Sequence, residues 1–578
     1  MRWGWILGAL LLPLAACGPE SPPGDAGTNG KAADTAGQEV IPAAQLVLRN
    51  GYIYTVDTDR KIAQAVAVRE GRIVFVGTND GVEPHIGPDT RVENLDGRLV
   101  LPGFVDAHMH VSGLSRQVDL YSAASVNDYQ QLVGDYIESN PNRQLVVGRG
   151  WDRRVFTAAP PHKAQLDHVN DLIPIVLYAS DHHSIWANSE AIAAAGIDND
   201  TPDPRGGVIE RDDTGLVTGV LRGRSAMALV EKIIPARTEE EYRAEIREVQ
   251  EAVARHGITT LHDAYIRPTE DQPKLDAYQK MAALKNLTVR VRGSFVVRPG
   301  AGQREVRKLK TLSEKYRDEE FQVHSVKLFA DGTIGDANAL LKEPYAHRPG
   351  HRGARRLDQQ NLNQLAKLAN AAGLQVMIRA VGDAAVGMGL EAFAHSRDIN
   401  GPRDMRNSVV HLQLVDQADI QQLADTQTIA VVHPLRFDRS AFHHALDVSR
   451  LGEARAAAQF PLKSLFDAGA TVASGSNYPE HRHSSPLAAI HAGVTRNGAD
   501  SEAVSLERML ASFTINGAFA NRLEDMTGSL AEGKWADMIV LDRNLFQIAP
   551  ADIKTAQVLQ TYYRGRLVFE LAEGAKAD

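Results

Sequence analysis

From Leu46 onward the chain is a succession of short apolar runs, and their spacing falls into two textures. The first is strand-like: Leu46–Arg49, Ala65–Arg69, Ile73–Gly77 and Arg91–Asn94 are punctuated by Asn50-Gly51, Glu70-Gly71 and Asp96-Gly97, pairs that favour tight turns. It returns near the far end in Met538–Leu541 and Val558–Phe569, with Gly565 at a turn, which predicts a small β-sandwich domain built from residues 45–100 and 531–572. Between these ends lie eight apolar runs: Val105–Met109, Ile258–His262, Val289–Val297, Val326–Ala330, Gln375–Val381, Ser408–Val415, Thr428–His433 and Ala470–Ser474. The stretches between them, such as Leu362–Ala372 and Ala385–His395, carry apolar residues three and four apart, the period of a helix face. Buried strands alternating with helices predict a parallel sheet, and eight of them predict an α/β fold, a closed (β/α)8 TIM barrel over residues 101–530. The gap from Val111 to Arg255 exceeds any ordinary loop and contains strand-like Leu145–Val147 and Ile175–Tyr178, so an inserted subdomain is expected over about residues 115–250.

The N-terminus follows neither pattern. Arg2 precedes an apolar run from Trp3 to Ala16 that ends Leu14-Ala15-Ala16-Cys17; spanning a bilayer takes about 20 such residues. The segment 1–17 resembles a bacterial lipoprotein signal, in which Cys17 becomes the lipid-bearing N-terminus and its acyl chains hold the protein at a membrane. The plainer alternative is a secretory signal with an incidental cysteine. Gly18, in place of an aspartate after the cysteine, favours by the same resemblance the outer membrane of the cell envelope, facing the periplasm. Residues 18–44 are rich in Gly, Pro, Ala and Ser and hold no aromatic, which predicts a flexible tether, with a reach on the order of 30 Å.

Composition narrows the partners. With 63 basic and 72 acidic side chains the formal charge is −9, 43% of the residues are apolar, and no block of Lys/Arg occurs, which argues against nucleic acid or anionic lipid as the main partner. A single cysteine rules out an internal disulfide framework and a Cys-based zinc cluster. Oligomeric state is set by no pattern in the chain.

Barrels of this kind carry their reacting groups at the carboxyl ends of the strands. The first run ends Asp106-Ala107-His108-Met109-His110, and histidines two apart on an extended chain face the same side, where they can share one metal. The surrounding PGFVDAHMH is accompanied by Asp181-His182-His183-Ser184, Trp186-Ala187-Asn188-Ser189, Gly206-Gly207-Val208-Ile209, Gly257-Ile258-Thr259-Thr260, VKLFADG around Lys327, AVGDAA, His411 in VVHLQLV, GSNYP, and the closing GSLAEGKWADMIVLD. In these motifs the chain resembles the amidohydrolase superfamily, in the branch of amidohydrolase family 3 that contains N-substituted-formamide deformylase-like proteins, over nearly everything from Leu46 to Phe569.

The resemblance implies a divalent metal, zinc or else iron or manganese, with His108, His110, Lys327 and His411 as matching ligand positions and Lys327 carboxylated on its amine. Two positions depart from it. Arg379 stands where the family has a second-metal histidine, and Asn477 stands where it has the strand-eight aspartate that binds metal and shuttles the proton. A guanidinium has no lone pair for a cation, so one metal is expected rather than two, with Arg379 supplying positive charge toward the Lys327 carbamate or an anionic substrate group. An amide cannot take a proton from water, so Asn477 would orient water or substrate, unless Glu480, His481 or His483 supplies a base; a solvated loop is the plainer role for those three. His183, with Arg379 and Asp331, is expected to contact substrate, and Trp151 to pack the lid on the barrel. His262, Asp263 and His433 also end strands, and a hydrogen-bonded place at the barrel rim is the plainer role for each. Asp383 reads as a helix N-cap before Ala384-Ala385-Val386.

The function so implied is metal-dependent hydrolysis of a carbon–nitrogen bond, other than a peptide bond, in a small amide or formamide. The alternative is a lipid-anchored small-molecule binding protein whose turnover is lost with the two departures. If those departures limit catalysis, the double variant Arg379→His, Asn477→Asp should hydrolyse simple N-formyl or N-acyl amines faster than the native chain by about 10²–10⁴-fold, the usual contribution of a general acid–base group. A fall in turnover would instead make the native pair a working chemistry. Cys17→Ser should move the protein from the membrane to the soluble fraction on fractionation; retention at the membrane would remove the anchor.

Overall fold

The eight apolar runs form β1 (Phe104–Met109), β2 (Ile258–Ile266), β3 (Arg290–Val296), β4 (Phe321–Phe329), β5 (Gln375–Ala380), β6 (Ser408–His411), β7 (Ile429–Val432) and β8 (Val472–Ser474) of one sheet, ordered as in the chain. The computed structural model describes residues 41–57, 59, 62–111, 117–121, 123–180, 183–437, 441–479, 485–496 and 502–572. Cys17, most of the tether, Asp181, His182, Glu480, His481 and His483 lie outside the described residues, and the barrel and its appendages belong to the unit from Ala43 on.

Every neighbouring pair in this sheet is parallel. The sheet rolls up so that its first and last strands meet. Asn477 N–H donates to the His108 carbonyl at 2.9 Å, His110 N–H donates to the Tyr478 carbonyl at 2.8 Å, and the Asp106 carboxylate accepts from Ser476 N–H at 3.1 Å. Gly475 makes the approach possible, because a Cβ there would stand 2.6 Å from His108 N. The result is a (β/α)8 barrel.

Helices cover the outside with the apolar faces their periodicity implies. Glu239–Arg255 starts at a capping box between Thr238 and Glu241 and buries Tyr242, Ile246, Val249 and Val253. Gln359–Ala371 is capped by Asp358 and buries Leu362, Leu365, Ala366 and Ala369. In Asp383–Asn400 the N-cap is Gly382, a correction for Asp383: it is the first helical residue, and its carboxylate accepts from Lys342 N–H at 2.8 Å and from Ala384 N–H. No helix among the described residues is long and apolar enough to cross a membrane.

The two ends of the chain build two further sheets. One runs Arg72–Gly77, Ala65–Arg69, Leu46–Arg49, Arg91–Asn94; the other runs Arg566–Glu570, Val558–Tyr563, Met538–Leu541, Leu99–Pro102, Tyr52–Tyr54, Ile62–Ala63. Leu99–Pro102 and Met538–Leu541 pair antiparallel with Val100 opposite Val540, so the second sheet exists only when both ends are present. Leu48, Ile53, Val66, Ile73, Val100, Met538 and Val540 form the core that both sheets share.

The insertion between β1 and β2 holds a six-stranded sheet ordered Val208–Arg211, Val217–Arg222, Ser184–Ala187, Ile175–Ala179, Val146–Trp151, Val118–Asp119. Trp151 belongs to this sheet's own core with Tyr129, Phe156 and Trp186, and its indole N–H donates to the Leu177 carbonyl at 2.8 Å. It therefore stabilises the insertion rather than docking it on the barrel.

One buried ion pair ties the barrel to the composite domain. Arg290, at the start of β3, donates to the Asp537 carboxylate at 2.8 Å with both side chains 0% exposed, and Asp537 also accepts from Arg564 N–H at 2.9 Å. Removing one member of such a pair leaves a buried charge unanswered. Arg290→Met should lower unfolding free energy by about 3–5 kcal/mol in urea titrations; a loss under about 1 kcal/mol would mean that water or a neighbour relieves Asp537.

Candidate functional site

The carboxyl ends of the strands converge on a group of imidazoles. His108 lies on β1, His411 ends β6 and His433 follows β7. All three are buried, and one ligand nitrogen from each lies within 4.8 Å of the other two. Ring centres are 5.5 Å apart for His108 and His411, 4.9 Å for His108 and His433, and 4.7 Å for His411 and His433. His110 stands beside His108 at 5.1 Å and against Tyr265 at 5.9 Å, but among the described residues it is not part of that close group.

Local backbone sets these positions. His411 and Leu412 take left-handed conformations (φ 82° and 48°), as does Asn477 (φ 56°), which is costly for residues with a Cβ and is held by surrounding bonds such as Leu412 N–H to the Ala380 carbonyl. His433 Nδ1 lies 3.1 Å from the Gly475 carbonyl. A carbonyl can only accept, so Nδ1 carries the proton and Nε2 the lone pair. Asp106 accepts from the amides of His108 and Ser476, and burial raises its pKa to about 6 against those bonds.

The group holds nitrogen lone pairs rather than charge. Burial first, then Lys327, drives the His108 pKa well below its ordinary value; burial, then Arg379, does the same to His411. Lys327 Nζ is 2.9 Å from His108 Nε2, and burial followed by the Arg379 charge pulls its pKa far below that of a free lysine. The Nδ1 atoms of His108 and His411 are buried with no hydrogen-bond partner. Buried nitrogen atoms of this kind, on neutral imidazoles that converge, suit a divalent cation with nitrogen preference.

Above the group opens a cavity of about 2340 Å³, lined by His108, His110, Lys327, Arg379, His411 and Asn477 from the barrel and by His183 from the insertion. Arg379 does not point into the imidazole group alone: its Nη1 donates to the carbonyls of Asp331 and Gly332 at 3.1 and 2.7 Å. Exposed His183 accepts from Arg356 Nη2 at 3.1 Å. Asp331 is a correction. It is fully buried off the cavity wall, and its carboxylate accepts from the amides of Leu340, Val381 and Gly382 at 2.9, 3.0 and 2.9 Å, so it braces the loop after β4 instead of meeting a substrate.

The remaining strand-end residues divide in the same way. His262 is bonded at both ring nitrogens, to Asn521 Oδ1 and Ser294 Oγ at 2.7 Å each, a structural place at the rim. Asp263 faces the cavity but is paired with Lys274 at 2.6 Å. His433, read from the chain as another rim residue, is instead the third member of the histidine group. The available signal was its position ending the seventh apolar run, where barrel strands present their chemistry.

Comparisons with known proteins agree with this architecture. The amidohydrolase family model matches residues 91–569. The putative amidohydrolase YtcJ of Bacillus subtilis (strain 168) is 30% identical over 540 residues, covering 91% of this chain and 99% of its own. N-substituted formamide deformylase of Arthrobacter pascens is 27% identical over 547 residues, covering 91% and 98%. Among solved structures, an uncharacterized metal-dependent hydrolase from Pyrococcus furiosus has the same fold, with a TM-score of 0.70 at 24% identity over 88% of this chain and 99% of its own. Since the family model spans the barrel, its insertion and part of the composite domain, the chain belongs to the amidohydrolase family.

Proposed function

We propose that this amidohydrolase-family chain hydrolyses a carbon–nitrogen bond of a small amide or formamide, using one divalent cation held by His108, His411 and His433. The observation that carries the reading is the convergence of three buried imidazoles under a cavity large enough for an organic substrate. The similarity to N-substituted formamide deformylase supports the amide or formamide class. Zinc suits a three-nitrogen set, and iron or manganese can also occupy one. Such a cation, when bound, supplies a Lewis acid that polarises a carbonyl and acidifies water.

The chain's own residues then have distinct tasks. Lys327, whose pKa burial and then the Arg379 charge pull downward, can as the free amine add carbon dioxide: the N–C bond forms, a proton leaves, and the resulting carbamate faces the Arg379 charge that opposes an ammonium there. Arg379, anchored by one nitrogen to the loop after β4, stabilises negative charge growing on the carbonyl oxygen. Asn477, whose backbone N–H donates a hydrogen bond to the His108 carbonyl, orients water or substrate with its side chain and cannot store the proton. A second reading, binding without turnover, is favoured by that one property of Asn477.

Metal content of the chain, purified without chelator or polyhistidine tag, tests the site. About one zinc, iron or manganese per chain is expected by elemental mass spectrometry, with His433→Ala dropping it at least tenfold, as loss of one of three ligands should. Full metal loading in His433→Ala would remove His433 from the site. Loaded protein with no turnover on any N-formyl or N-acyl amine would leave the binding reading in place.

A further inference from the structure

The inserted sheet sets against the cavity a positive charge that no carboxylate among the described residues pairs with directly. Arg149 lies on Val146–Trp151, opposite Tyr178 in the parallel register, and both line the cavity. Glycines fix the path of this strand: a Cβ on Gly148 would meet Leu177 Cδ2 at 2.6 Å, and one on Gly150 would meet Tyr121 N at 2.6 Å. The Arg149 guanidinium carbon sits 5.6 Å from the Tyr178 ring centre. The nearby carboxylates are engaged elsewhere. Glu231 accepts from Arg224 at 2.6 Å and from the Tyr178 hydroxyl at 3.2 Å, and Glu245 accepts from Arg237 at 2.6 Å. Among the described residues the Arg149 side chain has no hydrogen-bond acceptor or ion-pair partner, and its Nε is buried.

A guanidinium keeps its proton at any working pH, so it cannot escape this position by neutralising. Burial, and Arg237 next, press its pKa downward, while Tyr178, Tyr121 and Glu245 act in the opposite sense. What would relieve it is an anion, and the planar fork of Arg fits a carboxylate with two parallel N–H donors.

We propose that Arg149 is an anion subsite of the cavity, and that the molecule bound there carries a carboxylate at one end and its amide or formamide at the other. Which end reacts rests on the hydrolase reading above; the subsite itself does not. The bound molecule is thus an acidic amide rather than a neutral one.

The test compares two probes of one shape, 4-(formamidomethyl)benzoate and its neutral carboxamide, by titration calorimetry on the full chain. The acid should bind at least about tenfold more tightly at low salt, and the preference should shrink as ionic strength rises. Arg149→Gln should bring the acid to the level of the neutral probe. Arg149→Lys, checked for an unaltered unfolding midpoint, should keep only part of the preference, because the fork is lost. Equal affinities in the native chain, binding of neither probe, or a preference that survives Arg149→Gln would each overturn the subsite. Hydrolysis of the neutral probe is followed separately. No turnover with the acid preference intact would count against the hydrolase reading alone, and turnover without a preference would count against the subsite alone.

Discussion

The site hangs on the seam that closes the barrel. Where β8 gives way to Gly475, the backbone comes so near β1 that only a residue without Cβ fits against His108. The same residue then does three things with its main chain: its amide donates to the Val432 carbonyl, its carbonyl takes the Nδ1–H of His433, and the turn it begins lets Asn477 donate to the carbonyl of His108. Two of the three clustered imidazoles are therefore positioned through one glycine. Asp106 reinforces the seam by taking amides from both strands. Side chains placed by main-chain bonds between strands keep their geometry far better than side chains placed on loops, and the left-handed backbone at His411 and Asn477 is tolerated because that framework leaves no alternative.

The electrostatics of the centre follow from which groups can shed charge. Lys327, His108 and His411 are buried together, and each can answer with a lowered pKa. Arg379 cannot. Its length carries the guanidinium toward the loop after β4, where the carbonyls of Asp331 and Gly332 accept from it. With Asn477 neutral at the end of β8, the centre combines lone-pair donors with the guanidinium charges of Arg379 and Arg436.

Much of this was legible in the chain. The eight strands, the helices between them and the sheet built from both ends follow from periods of two and 3.6 and from turn dipeptides, all local signals. His108 and His411 were legible because they end strands in recognisable motifs. What the chain could not show was side-chain direction at the rim. His262 and His433 both end apolar runs, yet His262 is satisfied by Asn521 and Ser294, separated from it by 259 and 32 residues, while His433 turns into the histidine group. Asp331 was misread for the same reason, since its three partners are backbone amides brought close only by the loop after β4 folding over β5. Polar residues at strand ends share one pattern, and only tertiary partners separate a ligand from a brace.

Two arginines on the cavity wall show how the same side chain takes different roles from its surroundings. Arg379 rises from a barrel strand and finds carbonyls of the adjoining loop, so part of its donor capacity is met within the fold. Arg149 comes from a sheet strand of the insertion, where the flanking glycines draw neighbours close and the carboxylates within reach already have partners. A charge met by acceptors within the fold is compensated there, and a charge desolvated without them is compensated less completely. The barrel floor and the inserted wall therefore differ in kind: the floor gathers imidazoles beside an arginine whose nitrogen is met by carbonyls, and the wall keeps a guanidinium without such acceptors facing the same space.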